Sequence, residues 1–320
     1  MVDHQGRQRL GRTDVQVTAL GFGAAALGNL YAAVTDEDAR AAVDAAWDAG
    51  LRYFDTAPHY GLGLSERRLG AALAARPRDE FVVSTKVGRL LVPNPHPRGS
   101  DSEHQFEVPD TLTRVRDYSA DGVRRSLEAS LERLGLDRVD VVLVHDPDDV
   151  LDQALAEAVP ALVALREQGV IGAVGVGMNR WQALRRFVVE TDVDVVMVAG
   201  RWTLVDRSAE PLLQAAAERG VSVLAAAAYN SGLLASPWPA DDARFNYAPA
   251  PADVLARARH WAARAEQHGV ALPDVALQFP LRHAATAAVV VGLRSPAEVA
   301  AAVERMSRAI PEAVWADPVP

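Results

Sequence analysis

Short, mostly apolar runs alternate with helical stretches eight times along this chain, and no other feature constrains its fold as much. The runs predict strands over residues 17–20, 51–54, 81–85, 139–144, 171–176, 193–198, 221–227 and 288–291. They are predominantly apolar rather than strictly alternating, which is what a parallel sheet covered on both faces demands. Helices are expected between Thr35 and Gly50, from Ser65 onward, and over 121–134, 151–168, 181–190, 209–219, 252–268, 270–281 and 296–306. Thr35-Asp36-Glu37-Asp38 has the form of an N-cap with acids in the first helical turn. Gly135, Gly169, Gly220 and Gly269 stand where helices should stop. Eight strand–helix units predict a closed (β/α)8 TIM barrel, in one domain spanning 1–320, with an N-terminal β-hairpin at the Gly-Arg-Thr-Asp turn. Residues 88–118, rich in Pro, His, Ser and Asp, read as one long loop on the C-terminal face, where barrel active sites sit.

Composition narrows the chemistry. The chain has no cysteine, hence no disulfide framework and no thiolate metal site, and no histidine pair has metal-ligand spacing. A net charge of −9 without a basic stripe disfavours nucleic acid. No apolar run approaches the roughly 18 residues of a membrane span, and the first residues lack the apolar core of a signal peptide. A cytoplasmic enzyme with a small-molecule substrate and no metal is the expectation; nothing in the pattern speaks to oligomeric state. Gly21-Phe22-Gly23-Ala24-Ala25-Ala26 imitates a Rossmann fingerprint, but the next strand-end acid, Asp55, lies well beyond the roughly 20 residues that motif requires.

Four polar residues fall at or just after the ends of expected strands: Asp55, Lys86 and His145 at strands two, three and four, and Tyr60 on the loop following strand two. Barrel closure makes those ends neighbours. A phenol with an ordinary pKa of about 10 is a poor proton-transfer group at neutral pH, and a nearby ammonium brings it down. Lys86 is the expected ammonium, Asp55 its counter-charge, Tyr60 the acid–base and His145 the donor that orients the reacting oxygen.

The stretches RLGRTDVQVTALGFG, AGLRYFDTAPHYG, SERRLG and GLRSPAEV, with strands ending in STK and LVH, resemble the aldo-keto reductase family over nearly the whole chain. The resemblance implies an (α/β)8 barrel, a nicotinamide cofactor held extended without a Rossmann domain, and a catalytic tetrad at Asp55, Tyr60, Lys86 and His145. LGFGAAALGNLY, VVMVAGRWTLVD, YNSGLL and RFNYAPAP are similar to a branch that oxidises sugars or pyridoxal. That implies oxidation of an aldose at its anomeric hydroxyl, to a lactone. Pyridoxal oxidation, general carbonyl reduction and a cofactor-binding regulatory subunit without turnover are the alternatives.

For the cofactor, Gly292, Leu293, Arg294 and Ser295 lead into a helix N-terminus suited to phosphate. Glu298 there repels a 2′-phosphate and suits NAD; Arg294 keeps NADP as the alternative. The resemblance assigns Asn179 to the nicotinamide carboxamide. Gly23 joins the cofactor set, and Tyr229, Asn230, Ser231, Gly232 and Leu233 are expected along the pyrophosphate. Ala199 and Ala226 stand where the family has Gln and a stacking Tyr, so Trp202 or Tyr229 is the expected aromatic face. Tyr31, His59, Trp202, Phe245 and Tyr247 are the candidate substrate contacts.

Overall fold

The computed structural model describes residues 3–246 and 248–316. Its strands in chain order are β1 (Arg7–Arg9), β2 (Gln16–Thr18), β3 (Leu20–Gly23), β4 (Tyr53–Asp55), β5 (Val82–Val87), β6 (Arg89–Pro93), β7 (Leu112–Arg116), β8 (Val141–His145), β9 (Ala173–Met178), β10 (Val195–Ala199), β11 (Ser222–Ala226), β12 (Arg244–Phe245), β13 (Ala248–Pro249) and β14 (Thr286–Gly292). Eight of them close a parallel barrel in the order β3-β4-β5-β8-β9-β10-β11-β14, as the predominantly apolar runs require.

Helices cover the barrel: α1 (Asp36–Asp48), α2 (Leu64–Leu73), α3 (Ala120–Leu134), α4 (Leu151–Gln153), α5 (Val159–Glu167), α6 (Trp181–Glu190), α7 (Glu210–Arg219), α8 (Ala252–Gln267), α9 (Leu272–Gln278) and α10 (Pro296–Ser307). The Thr35 hydroxyl accepts from the Asp38 amide at 3.0 Å, a cap worth about 1 kcal/mol, and Asp36, Glu37 and Asp38 face the positive end of the dipole. Residues 151–168 do not form the single regular helix that the pattern predicts. A π-helical turn, Ala154–Ala158, separates α4 from α5. Pro160 stands just beyond it; without an N–H it cannot complete the regular ladder.

The expected hairpin forms between β1 and β2 and closes the barrel's N-terminal end. Leu10 and Val17 pack from it against Tyr53, Val141, Val195 and Leu224 in the barrel interior. Gly11 has φ +54°, and a Cβ there would meet the Asp194 carbonyl oxygen at 2.4 Å, so only glycine allows this close approach.

The expected loop at 88–118 is instead a second hairpin. β6 and β7 pair antiparallel from Arg89↔Arg116 to Pro93↔Leu112. The polar, proline-containing tip masks the strands on either side of it. Phe106 and Val108 from that tip cluster with Leu62, and Phe106 bridges to Leu30, so the hairpin folds back over the loops that follow β3 and β4.

Candidate active site

Asp55 ends β4, Lys86 lies near the end of β5, and His145 ends β8. β5 separates β4 from β8, so the three side chains stand on adjoining strands of the same rim. All three are buried. The Lys86 ammonium donates to Asp55 Oδ2 at 2.7 Å, to the Thr56 carbonyl at 2.9 Å and to the Tyr60 hydroxyl at 3.1 Å, which uses all three of its protons. Asp55 Oδ1 accepts from Ser84 Oγ at 2.7 Å, and Ser84 Oγ lies 3.0 Å from the Tyr53 hydroxyl. Burial disfavours the Lys86 ammonium, but Asp55 and Tyr60 outweigh it and hold its pKa above the ordinary lysine value.

Tyr60 departs from the expectation. Burial pushes its phenol above the ordinary value, and Lys86 reduces that rise without reversing it. The His145 ring stands nearly perpendicular to the Tyr60 ring, 6.0 Å between centroids. Burial, with the Arg89 and Lys86 charges nearby, drives its pKa well below the ordinary value, so the imidazole is neutral. His59 lies 5.7 Å from His145 and 5.4 Å from Phe106, centroid to centroid, and burial lowers its pKa to about 2. Nδ1 of each histidine is buried without a hydrogen-bond partner among the described residues.

Several residues around this cluster escape sequence reading. Asp146, directly after His145, takes a 2.7 Å hydrogen bond from Arg89 at the start of β6. The Tyr118 hydroxyl donates to the carbonyls of both His145 (2.6 Å) and Asp146 (3.1 Å). Arg114 on β7 donates to the His59 carbonyl at 2.7 Å and forms a two-pronged pair with Asp101. The only signal for Asp146 is its adjacency to a strand-end histidine; Arg89 and Arg114 depend on a hairpin the pattern conceals.

The ends of β9, β10, β11 and β14 and the segment after β3 border a groove of about 680 Å³. Of the expected cofactor residues, Asn179, Tyr229, Asn230, Ser231 and Gly232 line it, as do Gly292, Leu293, Arg294 and Glu298. Three others do not. Gly23 packs against the β14 backbone, where a Cβ would meet the Val291 oxygen at 3.0 Å. Leu233 is buried in the main core. Ser295 caps α10, its hydroxyl accepting from the Glu298 amide. The free amides expected ahead of α10 are not free: Glu298 Oε2 also accepts from the Arg294 amide at 2.8 Å, and Oε1 lies 3.7 Å from Arg294 Nε. Arg305, which donates to the Tyr229 hydroxyl at 3.2 Å, also borders the groove. It shares a helix face with Ala297, Glu298, Ala301 and Ala302, a spacing readable in advance.

Among the expected aromatics, Tyr31 stands exposed at the groove's edge. Trp202 does not face it: the indole is buried on Phe279, and its N–H donates to the Pro280 carbonyl at 3.2 Å. Phe245 packs on the core from β12, while its neighbour Asn246 borders the groove. Tyr247 lies outside the described residues. The groove suits an extended dinucleotide. Ala25, Ala26, Ala199 and Gly200 keep it wide, a Cβ at Gly232 or Gly292 would meet nothing within 4 Å, and buried Asn230 Oδ1 lacks a protein partner among the described residues.

A second cavity, of about 760 Å³, lies at the opposite end of the barrel among arginines and aspartates. Arg166 there pairs with Asp192 and Asp194, and Arg78 with Asp140, so this end reads as structural. Among the described residues no acid–histidine cluster fits a metal, and no helix is long and apolar enough to cross a membrane.

Comparison with known proteins places the chain in one family. The chain is 50% identical over 305 residues to D-threo-aldose 1-dehydrogenase of a Pseudomonas species, covering 94% of this chain and 93% of that one. It is 38% identical over 327 residues to pyridoxal 4-dehydrogenase of Microbacterium luteolum, covering 97% and 95%. An aldo-keto reductase of Bacillus halodurans, solved in its holo form, superposes with a TM-score of 0.75 at 26% identity over 98% of this chain and 96% of that one. The Aldo/keto reductase family model matches residues 19–317, and the chain belongs to that family.

Proposed function

We propose that this enzyme oxidises an aldose at its anomeric hydroxyl to the lactone, with Tyr60 as the acid–base and NAD as the preferred cofactor. The observation that carries the reading is the Lys86 ammonium, shared between Asp55 and the Tyr60 hydroxyl. The 50% identity to an aldose 1-dehydrogenase supports the substrate class.

The groove would hold the dinucleotide through Asn179, the turn at Asn230–Gly232 and the loop 292–294. When bound, it supplies the two-electron acceptor for the hydride leaving the substrate carbon. The chain's own part is the proton. In oxidation the Tyr60 phenolate takes the hydroxyl proton, and Lys86 stabilises that phenolate by charge and hydrogen bond. In reduction the phenol returns the proton. His145, neutral, donates to the reacting oxygen and fixes its direction. Asp55 keeps Lys86 charged and in place, and Ser84 holds Asp55.

Preference for NAD is supported by Glu298. Its carboxylate already answers the Arg294 guanidinium and amide, leaving a site that repels a second anion and can accept from a ribose hydroxyl. The absence of cysteine suits a reducing compartment such as the cytoplasm.

The test follows reduced-nicotinamide absorbance with NAD and NADP separately, against L-fucose, D-arabinose, L-galactose, pyridoxal and simple aldehydes. Aldose oxidation with NAD is expected to lead. Pyridoxal in the lead would favour the chemistry of the other named relative, and cofactor binding without turnover of any compound would make the protein a sensor.

A further inference from the structure

Asp146 has no part in the proton chemistry, yet the fold holds it beside that chemistry at several points. Its φ is +45°, a left-handed conformation that costs a non-glycine residue energy and gathers at functional sites. Its amide donates to the Gly177 carbonyl at 3.0 Å, and its own carbonyl accepts from Tyr118. The turn brings Oδ2 to 3.5 Å from His145 Nε2. Arg89 donates to the same oxygen at 2.7 Å. Tyr118 sets Arg89 as well: its ring fills the place a side chain would take at Gly88, the residue before Arg89, where φ is +101°. Oδ1 makes no hydrogen bond among the described residues, and Arg89 Nε is buried without a partner. The Asp146 side chain keeps 34% of its exposure, whereas Arg89 keeps 11%.

We propose that Asp146, positioned by Arg89, binds the hydroxyl on the carbon next to the one oxidised, and so selects polyhydroxylated substrates bearing that group. The inference rests on the aldose reading above. His145 directs the reacting oxygen, so a carboxylate this close to its Nε2 meets the oxygen on the neighbouring carbon. A carboxylate accepts from hydroxyls in charge-assisted hydrogen bonds, and the fixed guanidinium beside it prevents it from turning away. A site built around such a bond rejects the analogue lacking the hydroxyl, because the carboxylate is then left unanswered.

The experiment compares kcat/KM for D-arabinose, or the fastest aldose of the panel, with that for its 2-deoxy form, in wild type, Asp146→Asn and Asp146→Ala. A ratio of two substrates on one preparation is unaffected by the fraction folded. Wild type is expected to prefer the 2-hydroxy sugar by about a hundredfold, and both variants to lose most of that preference, chiefly through KM. Arg89→Met should lose part of it, with Arg89→Lys retaining more. An unchanged ratio in the Asp146 variants, or no preference in an aldose-oxidising wild type, overturns the role of Asp146 alone. A wild type that oxidises no aldose overturns the proposed function and this inference together.

Discussion

The rim of the barrel divides into two arcs of opposite construction. From β4 to β8 it is dense and charged: Lys86 is buried with every proton donated, and Asp55 is satisfied on both oxygens. From β9 round to β3 it is open, bordered by alanine and glycine, and keeps an unanswered Asn230 oxygen. In the first arc the buried Lys86–Asp55 pair is complete before any ligand arrives; the second is shaped to be completed by one. Substitutions in the first should therefore cost stability and turnover together, and those in the second should cost binding alone.

Lys86→Met tests the first half most severely. It leaves the Asp55 carboxylate buried without its counter-charge, which costs about 3–5 kcal/mol. Urea denaturation is expected to show that loss together with loss of turnover; a variant as stable as wild type would mean that the charged arc is not self-sufficient.

Acid should act on the same arc. His59 and His145 are held neutral by burial, with folded pKa values below the unfolded value of about 6.5. Below that pH the unfolded chain binds more protons, so these groups contribute stability above about pH 6.5 and lose it progressively as pH falls. Denaturation midpoints between pH 8 and 5 should decline, less steeply in His59→Phe. Equal slopes in the two proteins would remove His59 from this account.

The open arc should behave otherwise. Gly292→Val places its side chain in empty space, so stability should move by less than about 0.5 kcal/mol, while KM for cofactor rises about tenfold. A variant that melts early yet binds cofactor normally would erase the contrast between the arcs. The smallest effect is expected at Glu298→Gln, which frees Arg294 for a phosphate and should raise the NADP-to-NAD ratio of kcat/KM roughly threefold. An unchanged ratio would detach cofactor choice from this pair.

Legibility follows the same division. The barrel strands could be read because burial on both faces writes itself as predominantly apolar runs. The meeting of Asp55, Lys86 and His145 could be read because barrel topology alone brings strand ends together. What depends on distant packing stayed hidden. Trp202 looks like any rim aromatic until its indole meets Pro280, far along the chain. Pro160 marks the break between α4 and α5, but not that a π turn would absorb it. Glu298 is visible as a first-turn acid, though not as a carboxylate folded back onto the Arg294 amide. Asp146 and Arg89 meet only because a hairpin with a polar tip folds over the rim.

The central claim is that Tyr60 carries the proton. Tyr60→Phe removes one oxygen from a site whose other groups remain, and it should be assayed for hydride transfer and for cofactor dissociation on the same sample. Turnover is expected to fall by about a thousandfold while the cofactor dissociation constant stays within about twofold. Turnover near the wild-type rate would contradict the account.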